Sequence, residues 1–534
     1  VRKGIARCIQ SIRIMHFGGA MSESRKSMKS IAKYSMIITA LLVISKFTGF
    51  LREFIVAIQL GATAESDIFK TASAMPQVFF SAVAAALVTT FIPVFSNVKN
   101  DRKKADRFFN NVLNIVGILC IVLSIIAIVV SPQLVKLFAG GFNGENFNTT
   151  VKLTRVLMPS IIFLGISGLY TGYLQSYGKF VQPALTGITA NIAIIIGLVI
   201  FYNRYGLLAA ILSVFAGAIT QAITQRPFMG KNYRYKFIID FKDKNVQKMM
   251  VLSVPILISS AVSQINLMVA RNFASYLING SISVIDYATK FSTIINQVFI
   301  VSITTVLYPK LTDRFAMNDM DGFKNLFVRS VNIVMMVAIP LVFGLAILSE
   351  PIITLILQHG KFDRSATIAT STCLKYLAFS AFGYSLMDIL GKVFFAMKNT
   401  VIPMVNGFIL VVVNIIFILV LGPIMKVNGI AFATTLSVTI LAIILFAEIR
   451  KKVSGISYKF IFIGFVKMLI SGAVMALLVF ECYTFLNSVL PEKNIFLAIN
   501  IMASTLVGVL AYTIMLIILK VEELTELIKL KIKK

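Results

Sequence analysis

Long apolar runs alternate with short polar connections along the whole chain. Fourteen of the runs reach the roughly 20 residues that a helix needs to cross a bilayer. They lie near 35–59, 67–95, 108–130, 153–176, 182–202, 206–226, 249–274, 283–307, 327–349, 367–395, 401–421, 428–448, 461–485 and 495–519. The runs at 67–95 and 367–395 are long and should tilt. In lipid every backbone polar group must be satisfied within the segment, so these runs predict helices, whereas a barrel would show short alternating strands. The pattern predicts an all-α polytopic membrane protein of about fourteen transmembrane helices.

The connections carry an orientation signal. Basic residues gather in alternate loops: Lys99, Arg102, Lys103, Lys104 and Arg107; then Lys231, Arg234, Lys236, Lys242, Lys244 and Lys248; then Lys310, Arg314 and Lys324; then Arg450, Lys451, Lys452 and Lys459. The intervening loops, such as 61–66, 277–282 and 488–493, are short and poorer in basic residues. By the positive-inside rule both termini are expected in the cytoplasm, which requires an even number of spans. The connections at 131–152 and 350–365 are too short to hold a folded catalytic module.

Composition removes other classes. The chain has 534 residues, 58% of them hydrophobic, a mean hydropathy of +0.88 and a formal charge of +29. No soluble domain has interior room for that much apolar surface. The positive charge belongs to the topology signal rather than to nucleic-acid binding. Cys8, Cys120, Cys373 and Cys482 are scattered without metal or disulfide spacing. His16 and His359 are the only histidines, which leaves no basis for a histidine metal site or proton relay.

Two marker sets recur at one offset. Gly61, Asp67 and Lys70 are echoed about 219 residues later by Gly280, Asp286 and Lys290, and Thr89-Thr90 and Pro93 by Thr304-Thr305 and Pro309 at spacings that differ by a few residues. Gly178-Lys179 and Pro183 are echoed by Lys398 and Pro403. A duplicated six-helix unit keeps its orientation, so the halves are expected to be parallel lobes flanking a cavity. The expected organisation is a basic cytoplasmic segment 1–33, an N-lobe 34–228 (helices 1–6) and a basic cytoplasmic linker 229–248. A C-lobe 249–450 (helices 7–12), two further helices in 451–520 and a basic cytoplasmic tail 521–534 follow. Residues 1–20 read as an upstream extension before MSESRKSMKS, and VEELTELIKLKIKK reads as a short amphipathic helix.

The chemistry concentrates where charge interrupts the apolar runs. A charge at the bilayer centre costs on the order of 2.5–3.5 kcal/mol, so it faces a wet cavity, pairs, or snorkels from a helix end. Lys46 and Arg52 lie too far into the first run to snorkel. With Lys70, Arg271 and Lys290, and against Asp67 and Asp286, they predict a cationic cavity that attracts anions. Arg binds phosphate through a planar fork, and Lys acts as a point charge. Glu53 is expected to pair with Arg52 or to face the external rim, and Lys70, Asp286 and Lys290 could alternatively snorkel. Asp388, with Lys375 and Lys392 on the same run, is a candidate ion site or internal pair. No catalytic residue and no metal site is expected.

The stretch SKFTGFLREFIVAIQLGATAESDIFKTA resembles the opening of the MurJ/MviN lipid II flippases of the multidrug/oligosaccharidyl-lipid/polysaccharide exporter superfamily. The similarity continues through VSQINLMVARNFASYLINGSISVIDYATK, TTVLYPKLTDRFA, LILQHGKFD and FFAMKNTVIPM. Gln358-His359-Gly360-Lys361-Phe362 and the opening block are its more specific parts. The resemblance implies translocation of an undecaprenyl-diphosphate-linked peptidoglycan precursor from the cytoplasmic to the external leaflet of the bacterial inner membrane, by alternating access. It implies cavity arginines at Lys46 and Arg52, an aspartate at Asp67, and a serine and arginine at Ser283 and Lys290. Lys stands at two of these cationic positions. The second-helix cluster reads Met75-Pro76-Gln77-Val78-Phe79-Phe80-Ser81, without the basic residue expected at Phe80 or the acidic one near Ala85. Gln77 stays as a supporting candidate. No cofactor is implied; a coupling ion or the membrane potential would supply the drive, and other cell-wall synthesis proteins are candidate partners.

Three readings compete. Another lipid-linked oligosaccharide is the alternative cargo. A drug exporter of the same superfamily would favour a carboxylate-rich cavity, which this is not. A membrane glycosyltransferase would need a positioned acid/base or metal carboxylates; Glu145, Asp363 and Glu492 are isolated and have no His partner.

Overall fold

The computed structural model describes the backbone at residues 37–230, 233–491 and 493–525, and the side chains there except at 79–88, 255, 258–259 and 261–263. The N-terminal extension and most of the basic tail lie outside the described residues. Within them every regular element is helical. In chain order these are α1 (37–60), α2 (Ala64–Ser96), α3 (Arg102–Val129), α4 (Ser131–Phe138), α5 (Gly144–Leu157), α6 (Ser160–Ser176), α7 (Val181–Gln225), α8 (Lys244–Ser275) and α9 (Ser281–Ile294). A π-helical turn (Ile295–Ile300) leads to α10 (Val301–Ala316), α11 (Met320–Ile347), α12 (Ser349–Leu357), α13 (Arg364–Ala396), α14 (Val401–Met425), α15 (Val427–Lys452), α16 (Tyr458–Val489) and α17 (Asn494–Ile518).

Nine helices among the described residues are long and apolar enough to cross a membrane, ten if α5 and α6, bent by 41°, make one span. The sequence pattern gave fourteen runs, and α7 explains part of the difference. Its 45 residues would extend about 68 Å as one helix, more than twice a hydrocarbon core of roughly 30 Å. It breaks at Gly206, where φ is 57° and ψ −137°, a conformation that glycine adopts without a Cβ penalty. The two halves then pack on each other: a Cβ on Gly197 would sit 2.0 Å from Ser213 Oγ. α7 is therefore a hairpin holding the two runs 182–202 and 206–226.

Special backbone positions recur at the offset of the marker sets. Lys426, between α14 and α15, takes φ 53° and ψ −128°, matching Gly206 at an offset of 220 (426 − 206). Lys398 (φ 58°) likewise matches Gly178 (φ 74°), again at 220 (398 − 178). α3 and α11 are both 28 residues long and begin 218 apart (320 − 102).

The chain forms two compact units. Among the described residues, the first comprises 37–52, 83–125 and 159–254, and the second comprises 53–82, 126–158 and 255–525. The first holds a cluster of rings: Phe91 stacks on Phe95, and Phe95 and Phe109 pack on Tyr173, with ring centroids 4.6 Å apart for Phe109 and Tyr173. Residues 234–240 are strapped along α3. Asn110 donates to Arg234 O, Asn114 to Lys236 O and Ile238 O, and Asn111 to Asp240 O at 2.8 Å. Bonds to every second carbonyl are what an extended segment offers on one edge. They satisfy a backbone that belongs to no helix. In the second unit a continuous apolar core runs through α10, α11, α13, α15, α16 and α17. Asp319 caps α11 by accepting from Gly322 N; that bond and Arg314 hold its carboxyl below the usual carboxylate range.

Candidate functional site

The second unit brings the end of α1, the start of α2 and the start of α9 together. Gly61 turns the chain with φ 64°, and a Cβ there would meet Lys361 O at 2.4 Å. Gly280, at the N-cap of α9 with φ 91°, offers no side chain to cap the helix. Asp67 on α2 takes that place. Its Oδ2 accepts from Gly280 N at 2.7 Å, and its Oδ1 accepts from Ser283 N at 2.8 Å and Ser283 Oγ at 2.7 Å. The carboxylate is 3% exposed and sits where a helix N-terminus presents unpaired N–H groups and positive potential. The backbones touch here: a Cβ on Gly280 would fall 2.0 Å from Ala62 O. Lys361 N donates to Ile58 O at 2.9 Å, and Lys361 Nζ pairs with Glu65 at 3.2 Å.

One turn along α9 the contacts become ionic. Asp286 Oδ1 accepts from Arg271 Nη2 at 2.9 Å, and its Oδ2 lies 3.4 Å from Lys70 Nζ and 3.5 Å from Lys290 Nζ. Lys290 also pairs with Glu53. Lys70, whose side chain is 4% exposed, lies over the Tyr287 ring at 3.2 Å from its centroid. Burying Lys70 and Arg271 is tolerable because Asp286 pairs with both, while the more exposed Lys290 bridges Asp286 and Glu53. Lys70 and Asp286 are paired inside the protein. The structure pairs Glu53 with Lys290. With Asp67 included, this cluster has three cations (Lys70, Arg271, Lys290) and three carboxylates (Glu53, Asp67, Asp286).

In the first unit, Lys46 and Arg52 lie on α1, Lys46 exposed and Arg52 half-buried. Arg52 Nη1 donates to Asn191 Oδ1 at 3.1 Å, and Asn191 Nδ2 donates to Ser45 O at 3.3 Å and Thr48 Oγ1 at 3.2 Å. α1 lies close to α7 there because Gly187 has no side chain: a Cβ would meet Ser45 Oγ at 2.2 Å. Asn191 is a site residue that the sequence reading missed. Its signal was an amide in the middle of the apolar run 182–202.

The remaining candidates separate. Asp388 pairs with Lys392 at 3.0 Å and accepts from Thr304, an internal pair on α13 and α10. Lys375 lies elsewhere, lining a cavity with Glu350 and Arg364. Gln77 is exposed on α2. Asp363 caps α13 by accepting from Ala366 N at 2.7 Å, a structural role, and Glu492 is outside the described residues. Among the described residues no three His, Cys, Asp or Glu side chains cluster to hold a metal.

A family model described as lipid II flippase MurJ matches residues 56–502. A probable lipid II flippase MurJ of Rickettsia prowazekii is 27% identical over 417 residues, 76% of this chain and 82% of that protein. One from Treponema pallidum is 25% identical over 442 residues, 80% of this chain and 83% of that protein. A solved lipid II flippase MurJ in an inward closed conformation aligns at TM-score 0.77 and 25% identity, over 90% of this chain and 98% of that one. An inward-facing MATE family multidrug resistance transporter of the MOP superfamily aligns at TM-score 0.66 over 78% of this chain and 98% of that one. Its 14% identity supports a shared fold alone. The chain belongs to the lipid II flippase MurJ family, multi-pass membrane transporters and not enzymes.

Proposed function

We propose that this protein carries lipid II, an undecaprenyl-diphosphate-linked peptidoglycan precursor, from the cytoplasmic to the external leaflet of a bacterial inner membrane. The observation that carries the reading is the family match over residues 56–502, which contains the intramembrane charges at Lys70, Arg271, Asp286 and Lys290. The lipid tail stays in the bilayer while the anionic head group crosses a polar path. Lys46 and Arg52 are the diphosphate contacts, and Arg271 and Lys290 receive the head group as their carboxylate partners exchange. Asp67, Ser283, Gly280 and Ala62 form the external gate, which opens by giving up the cap on α9. Both termini are cytoplasmic in this reading, with the strap at residues 234–240 on the cytoplasmic face. The membrane potential or a coupling ion drives the cycle, and cell-wall synthesis proteins are its working neighbours.

A second cargo, another undecaprenyl-linked saccharide, is favoured by Lys at positions 46 and 290 and by Phe80 where a basic residue is expected. Native mass spectrometry of the detergent-purified protein separates the two. The expected result is a co-purifying adduct with the mass of a disaccharide-pentapeptide on undecaprenyl diphosphate. An adduct with a different saccharide mass selects the second cargo, and a drug-like adduct without a polyprenyl chain contradicts both.

A further inference from the structure

The second unit holds a cavity of about 770 Å³, walled on one side by α12 and the start of α13 and on the other by the end of α16 and the start of α17. It lies outside the ion-pair cluster, and none of the roles assigned above uses it. Its size is in the range of small-ligand sites, roughly 300–1,000 Å³. Three cations line it: Arg364, Lys375 and Lys493. The one described carboxylate in the lining, Glu350, is bonded to Arg364. Lys375 lies eleven residues past Arg364 (375 − 364), about 16 Å along α13. No described carboxylate pairs with Lys375 or Lys493.

Between the cations stand neutral groups that both donate and accept: Tyr483, Thr484, Asn487 and Asn494. Gln358, also in the lining, has a buried Oε1 with no hydrogen-bond partner. Cations alone would suit any anion. Cations interleaved with amides and hydroxyls suit an anion that carries sugar hydroxyls.

The wall of this cavity is also the clamp on the gate. Residues 358–364 join α12 to α13. Gln358 and Arg364 point into the cavity, while Lys361 N bonds Ile58 O and Lys361 Nζ pairs with Glu65. A Cβ on Gly360 would come within 2.5 Å of Ile58 O, so this loop has little freedom to shift without moving the end of α1. The Gln358-His359-Gly360-Lys361-Phe362 segment thus has one side on each site.

We propose that this cavity is a second head-group subsite, at the gate end of the bundle, that takes a phosphate-bearing saccharide. Its occupancy is felt at the gate through the 358–364 loop. The proposal rests on the flippase reading and places a waiting position for the head group after it has passed the gate.

The test uses the full chain in nanodiscs, cysteine-free apart from Thr484→Cys, with Asn487→Cys as a second reporter should the first fold poorly. The readout is the rate of maleimide labelling. N-acetylglucosamine 1-phosphate should slow labelling, whereas inorganic phosphate and N-acetylglucosamine, each alone, should protect far less. Adding Lys375→Gln and Lys493→Gln should raise the half-protecting concentration by about tenfold or more, as expected for lost charge-assisted contacts. The subsite is overturned if the sugar phosphate does not protect, if inorganic phosphate alone protects equally, or if protection survives both substitutions. It is also overturned if phosphatidylglycerol in the nanodisc protects fully on its own, which would make this a phospholipid site. Lipid-linked saccharide transport is measured on the same variant in proteoliposomes. Intact transport without protection overturns the subsite alone, and protection without transport overturns the flippase reading while supporting the subsite.

Discussion

Asp67→Ala is expected to open the α2–α9 contact and abolish transport, with the protein still inserted and folded. The substitution removes three hydrogen bonds to a buried carboxylate and leaves Gly280 N and Ser283 N without an acceptor. A hydrogen bond to a charged group contributes roughly 1.5–3 kcal/mol. Losing even one such contact shifts a two-state gate by more than about tenfold toward the open form. Asp67→Asn should not rescue, because its single acceptor oxygen and two donors face a site where three donors converge. The measurement is labelling of Ala64→Cys by impermeant maleimide, which should speed up in both variants. Unchanged labelling with normal transport would show that Asp67 is only a packing element.

Removing charge from α1 should have an effect at least as large. Arg52→Ala is expected to lower the rate of head-group translocation by roughly 10- to 100-fold, the size of one or more charge-assisted contacts to a diphosphate. Lys46→Ala should act similarly, whereas Lys46→Arg should transport normally because charge and reach are kept. Asn191→Ala separates positioning from binding. Arg52 would keep its charge but lose the bond that aims it, so apparent affinity for cargo should fall more than the maximal rate. The check is a proteoliposome translocation assay run at several cargo densities. Full activity in the Lys46→Ala, Arg52→Ala double variant would remove the cationic path from the account.

The helices were legible in the sequence because their apolar runs are long. The break in α7 was also visible, since the runs on either side stop and restart around Gly206. The repeat could be read from Gly61 and Gly280 and from Gly178 and Lys398, because positive-φ positions are stringent about what they accept. The two copies of the marker aspartate nevertheless do different work. Asp67 caps α9, more than 200 residues away, and Asp286 gathers cations from α2, α8 and its own helix.

Helical phase alone could have sorted α13. Asp388 and Lys392, four apart, share a face, while Lys375 lies about 220° around the helix from Asp388. The asparagines at 110, 111 and 114 fall inside the apolar run 108–130. Their role as a clasp depends on where residues 234–240 run, which no local pattern encodes.

The central claim is that cargo crosses by opening and closing the contact between residues 61–67 and 280–283. The most direct measurement is lipid II translocation in proteoliposomes containing the Ala64→Cys, Ser281→Cys protein, assayed oxidised and then reduced. Because Gly280 already abuts Ala62, the pair or an immediate neighbour should form a disulfide. Oxidation is predicted to stop translocation and reduction to restore it. Translocation that continues while the cross-link is intact would contradict the account.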